Sequence, residues 1–476
     1  MSNRSNNSFY IGERNMNIDT KIPTVTIPGP KGRFLLGSLP EIRADRIQFL
    51  IDAQRDYGDV IRINFGVGIG IGIFHPDGVK QVMQDNQKNY SKETPAFVSM
   101  QPIVGNGLFS SNGDFWLRQR RLMQPTFHRE KINTLSDMIA QQTSLLLNKL
   151  ESSSKQGQAV NLSHEMMILT LGITTQALFD LQLEDVDGNL GEMMLRLMGD
   201  TIFRFEFPFY PPVWFPTLRN QQLKNAVKQL DKVVYGIFDE RRKYSGPKNN
   251  LLDMLMAAQL EESEATGGEP RMMTDKQLRD EVVTLMLAGH ETTTVNICWT
   301  LYLLSQHPEV EARLRREIDE VLRGRVPTLE DLPRLEYTRM VRDESMRLYP
   351  PAWLTERHTI ADDEIGGYHI PAGSRLALTQ YVTHRHPEFW EDPDTFDPER
   401  FSVERSKGRH EFAFFPFAGG GRQCLGKNLA LLETQIILAM LIQRYRFEVK
   451  PGTQVIREPQ LAMRIRDGLF MCLKPA

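Results

Sequence analysis

The segment richest in chemical meaning is 415–428, FPFAGGGRQCLGKN. Gly419, Gly420 and Gly421 carry no Cβ and permit close approach of a flat ligand. Cys424 follows just before an apolar stripe at Leu425, Leu429, Leu432, Ile436 and Met440, which predicts a helix from about Leu425 to Tyr445. A sulfur at a helix N-terminus sits among unpaired N–H groups at the positive end of the dipole, which favours thiolate. Arg422 adds positive charge two residues earlier. These residues admit three roles. Cys424 is a buried structural cysteine; or Gly421, Gly426 and Lys427 form a GxxxxGK phosphate loop, with Asn428 where a magnesium-holding hydroxyl belongs; or a thiolate ligates haem iron.

The elements that must position these residues follow from periodicity. A helical pattern covers Ile42 to Tyr57, and Val60–Phe65 and Val67–Phe74 alternate as strands. The GxGxGxG spacing at 66–72 reads as a strand with one bare face rather than a nucleotide loop. HPDG opens a helix at Pro76, and helical patterning runs almost unbroken from Phe115 to about Leu348. Short strands and loops follow, and a closing hairpin is predicted to turn at Arg466, Asp467 and Gly468. Helix-rich patterning without βαβ alternation predicts an α+β fold, predominantly α-helical with small β-sheets. Residues 1–30 read as a flexible arm and 31–476 as one large domain.

Composition narrows the function. The chain has 476 residues, 57 basic against 60 acidic, 41% hydrophobic and 25% charged. Such a balance gives no bulk reason to expect nucleic acid. Cys298, Cys424 and Cys472 are too few for a disulfide framework, which points to a reducing, cytoplasmic setting. The N-terminus has no apolar core of a signal peptide. His290, Glu291 and three threonines interrupt the apolar run Val282–Leu304, so it reads as a buried helix rather than a membrane span.

Phe417, Gly420, Arg422, Cys424 and Gly426 stand in the order FxxGxRxCxG, which resembles the haem-binding loop of the cytochrome P450 superfamily. Further segments match in the family's chain order, so the resemblance spans roughly residues 30 to 476 and implies a soluble, bacterial-type member. It implies a haem b (iron protoporphyrin IX) ligated by the Cys424 thiolate. Glu344 and Arg347 resemble the ExxR motif, and Asp397–Phe401 the segment that brings Arg400 to them as a buried charge triad. Ala288-Gly289-His290-Glu291-Thr292 resembles the oxygen-activating stretch: Ala288 and Gly289 leave room for dioxygen, Thr292 offers a hydroxyl, and Glu291 the acid of an acid–alcohol pair. His290 is taken as structural. A zinc-protease reading fails because Thr294 stands where the second histidine belongs. Trp116 and Arg120 match WxxxR, and with Arg357 and Arg422 the arginines would face the haem propionates.

The implied activity is monooxygenation of a hydrophobic small molecule such as a fatty acid, terpenoid or steroid-like compound. By resemblance the pocket takes residues from Phe97 to Val104, the aromatic stretch Phe203–Pro216, positions around Leu285, Ala352 to Leu354, and the region of Ala462. The same aromatic stretch could be core, a lid or a membrane-touching loop. The expected partner is a ferredoxin or flavodoxin-type electron donor, docking on Arg405, Lys407, Arg409, His410 and Lys427, and the protein is expected to be a monomer. Two rival functions stay open at this point, a haem-thiolate gas sensor without turnover and a nucleotide hydrolase.

Overall fold

The computed structural model describes residues 26–66, 68–181, 190–207, 210–244, 246, 250–257, 259–260 and 271–476. Most of the segment expected as an arm, residues 1–25, lies outside the described residues. Pro28 and Gly29 rest on the sheet: the Arg62 N–H donates to the Pro28 carbonyl at 2.7 Å, and a Cβ on Gly29 would lie 2.1 Å from the Arg62 oxygen.

The fold is mixed α and β, dominated by helices. At its centre runs the helix Asp275–Gln306, started at Thr274 by a reciprocal capping box with Gln277. This central helix packs against the helices Leu162–Phe179, Glu336–Leu348 and Lys427–Arg444. Most of it beyond Leu278 is buried, as expected for a helix with protein on all sides. Leu285, Leu287, Ala288, Gly289 and Thr292 are the exceptions near its middle, and all five border a cavity. Thr170 of the first neighbour donates to the His290 carbonyl at 3.0 Å and shares a 2.8 Å hydrogen bond with Thr294. A Cβ on Gly289 would meet the Thr174 side chain at 3.1–3.2 Å, so this glycine sets how closely the two helices approach.

The largest sheet has five strands in the order Val60–Asn64, Ile69–Ile73, Arg375–Leu378, Thr355–Thr359, Tyr90–Ser91. Ile69–Ile73 pairs antiparallel with Val60–Asn64 and parallel with Arg375–Leu378. The bare strand face is present: a Cβ on Gly72 would lie 2.9 Å from the Ile61 side chain and 3.0 Å from the Phe74 ring. The closing hairpin does not form. Asp467 and Gly468 do turn the chain with positive φ, yet Met463–Ile465 pairs with Arg457–Pro459 and Phe470–Pro475 with Tyr445–Val449. Each flanking strand is paired in a separate sheet.

Under the C-terminal loop, Glu344 and Arg347 are fully buried and joined by two hydrogen bonds of 2.7 and 2.8 Å. Arg400 Nε lies 3.4 Å from the same carboxylate, while its other nitrogens bond the Glu391 and Asp392 carbonyls. The Asp397 N–H supplies a further donor at 2.9 Å. Arg347 also donates to the His384 carbonyl at 3.0 Å, and the His384 Nε2 accepts from the Phe415 N–H at 2.9 Å. The buried charges thereby reach the first residue of the 415–428 segment. Removing Arg347 takes the closest counter-charge from a fully buried carboxylate, leaving it only Arg400 Nε at 3.4 Å and the Asp397 N–H. Arg347→Met should therefore cost about 3–5 kcal/mol in urea denaturation, and adding Glu344→Gln should recover part of that loss.

Candidate active site

A cavity of about 430 Å³ lies between the central helix, the 416–426 loop and the sheet. Trp116, Arg120, Ala288, Gly289, Glu291, Thr292, Arg357, Phe417, Arg422, Cys424 and Gly426 all line it, although the sequence scatters them from position 116 to position 426. Gly420 does not. Its φ is +61°, and a Cβ there would lie 2.0 Å from the Met83 carbonyl oxygen. Gly419 and Gly421 likewise face the Phe412 ring and the Gln87 side chain. The glycine run thus admits protein rather than ligand, because the loop is wedged against the 81–87 segment. Nor can it cradle phosphate: the Gly421 N–H is donated to Gln87 at 2.8 Å and the Cys424 N–H to Phe417 at 2.9 Å.

Cys424 opens onto the cavity two residues before Gly426, the N-cap of the C-terminal helix Lys427–Arg444. Burial pushes the Cys424 thiol pKa up, while the Gly426 N–H and the charges of Arg120, Lys92 and Lys427 pull it down. Besides Arg46, the cations Lys92, Arg120, Arg357 and Arg422 border the same cavity, and these four surround its sulfur side. Arg120 donates to the Gln423 carbonyl at 2.8 Å, and Arg422 to the Ser111 carbonyl and Asn112 Oδ1 at 3.0 and 3.1 Å. Arg357 donates to Thr355 and the Glu356 carbonyl, and Lys92 to the Phe109 carbonyl at 2.9 Å. None pairs with a carboxylate among the described residues. Burial brings Arg422 down to about 9 and Arg357 to about 10, and burial beside Arg357 and Arg422 holds Lys92 well below the usual lysine range. A cavity with four basic side chains, none facing a carboxylate among the described residues, and a facing sulfur fits a flat dianionic ligand that carries a metal. Lys92 has no signal in sequence, since a lone lysine in YSKET matches no motif. The strand pairing Ser91↔His358 brings it beside Arg357.

On the opposite wall, the Thr292 hydroxyl donates to the Ala288 carbonyl at 3.0 Å. Glu291 is 2% exposed and bonded to Arg464 Nε. Burial raises its pKa and Arg464 opposes that. His290 is buried and bonded to the Met286 carbonyl at 2.6 Å. Glu433, which no motif marks, lines the cavity with one oxygen 3.5 Å from the Thr293 hydroxyl and the other without a partner among the described residues.

One expectation about the surroundings is corrected. Of the residues in Phe203–Pro216 whose side chains are described, none lines the cavity; Thr201 and Ile202 do. Asn220 bonds the Pro212 and Phe215 carbonyls, and Arg219 stacks on Phe203 at 3.4 Å, which turns the stretch toward the helix Leu218–Lys243. Pro208 and Phe209 lie outside the described residues. Of the basic residues expected to dock a partner, Arg409 is half-buried over Trp390 and Phe401. Arg405 pairs with Asp397 and His410 with Asp77. Lys407 and Lys427 form no ion pair with a described residue.

The cytochrome P450 family model matches residues 27–472. The chain belongs to the cytochrome P450 family. It is 34% identical to a cyclooctat-9-en-7-ol 5-monooxygenase of Streptomyces melanosporofaciens, over 90% of this chain and 91% of that one. It is 33% identical to a cyclooctatin synthase of the same organism, over 91% and 92%. The crystal structure of the cytochrome P450DA haem domain superposes with a TM-score of 0.83 at 25% identity, covering 94% of this chain and 98% of that one. The protein is therefore a cytochrome P450 monooxygenase, and membership implies haem with a cysteine thiolate, an organic substrate, dioxygen and a redox partner. Among the described residues no helix is long and apolar enough to cross a membrane.

Burial pushes Glu433 up to about 8. The folded protein then holds a proton that the unfolded chain releases above about pH 4.5, so this group's stabilisation fades as pH rises toward 8. Every tenfold difference in proton affinity between the two states is worth about 1.4 kcal/mol. Thermal melts at pH 6 and pH 8 should show Glu433→Gln losing less stability across that interval than the wild type.

Proposed function

We propose that this P450 monooxygenase oxygenates a cyclic terpenoid, with Cys424 as the haem b thiolate ligand and Trp116, Arg120, Arg357, Arg422 and Lys92 holding the propionate side. The carrying observation is the convergence of one sulfur with Lys92, Arg120, Arg357 and Arg422, these four without a carboxylate partner among the described residues, on a largely apolar cavity. When bound, the haem supplies activation of dioxygen, with the thiolate favouring O–O cleavage. The protein's own part is to exclude water, orient an apolar substrate against Ala288 and Leu285, and hold a proton path at Thr292 and Glu291. The terpenoid class draws support from the names of the two bacterial relatives, one of which acts on a substrate that already carries a hydroxyl. Residues 31–476 make up the haem-thiolate domain in this reading. Free cysteines fit a reducing compartment such as the cytoplasm.

Electrons would come from a separate ferredoxin or flavodoxin, with Lys407 and Lys427 the cations best suited to attract it. The reduced, carbon-monoxide-bound protein should show the red-shifted Soret band of thiolate ligation, and Cys424→Ser should abolish it. Thr292→Ala should keep the band and keep consuming reductant while product per reductant falls about tenfold or more. Unchanged product yield in that variant would overturn the proton path.

A further inference from the structure

Taking Glu291 and Thr292 as the proton path, we propose that Arg464 is a positioning residue for this reaction: it holds the Glu291 carboxylate behind Thr292 and releases it by passing to Glu458 on the neighbouring strand. Glu291 and Thr292 are not bonded to one another here, since the alcohol donates to Ala288 and the acid accepts from Arg464. The Glu291 side chain is 3% exposed and that of Arg464 27%, so the guanidinium bridges the interior and the surface. Its Nη2 is buried without a hydrogen-bond partner among the described residues.

Glu458 is the register partner of Arg464 in the antiparallel pair Arg457–Pro459 with Met463–Ile465. Residues so paired project on one face within reach of each other. Glu458 also stands 3.8 Å from Arg466 and is more exposed than Glu291. The backbone between them is fixed: the Met463 N–H donates to the Pro351 carbonyl at 3.0 Å, and Trp299 Nε1–H donates to the Met463 carbonyl at 2.7 Å. The side chain is then the part free to move. The other titratable neighbours are His290 on the same helix, engaged with Met286, and Glu433 across Thr293. Once Arg464 leaves, burial favours the neutral acid, so Glu291 takes a proton from solvent through cavity water and can give it to Thr292.

The test uses the holoenzyme with a cyclic terpene alcohol as probe. Infrared difference spectra, with Glu291→Gln as the assignment control, read the protonation of Glu291, and product per reductant reads the relay. Arg464→Gln should add a protonated-carboxyl band that the control lacks and lower the yield about tenfold, and Arg464→Lys should restore both. Glu458→Gln, a surface change that keeps the fold should Arg464→Gln fail to, should leave Glu291 ionised and still lower the yield several-fold. An Arg464→Gln protein equal to wild type in band and yield, or a Glu458→Gln protein equal in yield, overturns the proposal. If the wild type itself lacks the thiolate Soret band, the functional reading falls, and all variants then behave alike.

Discussion

Lys92, Arg120, Arg357 and Arg422 come from segments far apart in the chain and bring four like charges to one cavity, where the described residues offer them carbonyls, a hydroxyl and an amide but no carboxylate. Burial and mutual repulsion lower the proton affinity of Lys92 and Arg422, and an anion joining them relieves both. The architecture around the cavity serves that arrangement. The sheet brings Lys92 and Arg357 onto adjacent strands, the helix Gly113–Met123 presents Arg120 one turn beyond Trp116, and the loop delivers Arg422 over the Trp116 ring at 4.1 Å.

Behind the loop, the opposite arrangement holds. Glu344 is saturated by Arg347, by the Asp397 N–H and by the nearby Arg400. Such a cluster contributes little net stability when complete and much instability when broken. Its consequence is geometric: through His384 it fixes Phe415, and so the start of the loop that carries Cys424.

Much of this is legible in the sequence, because the loop, the ExxR helix and the AGHET helix each combine local periodicity with spaced chemistry. Cys424, Arg422 and Thr292 meet at one cavity, and Glu344, Arg347 and Arg400 meet behind it. What sequence does not reveal has a common cause. Lys92, Glu433 and Arg464 acquire meaning only from partners distant in sequence, at Arg357, Thr293 and Glu291. Gly420 looks like a ligand-facing glycine for the same reason, since its actual neighbour is the distant Met83 carbonyl. The hairpin at 466–468 shows the reverse failure: a sound local turn whose flanking strands are claimed by other sheets.

The parallel pairing of Ile69–Ile73 with Arg375–Leu378 carries a cost in time. Roughly three hundred residues separate the two strands, so during synthesis at about 5–20 residues per second the earlier one waits some tens of seconds for its neighbour. Throughout that wait an isoleucine-rich edge stays open to other chains. A chaperone that covers this edge until Arg375–Leu378 has been made would therefore shield the nascent polypeptide where it is most open to mispairing.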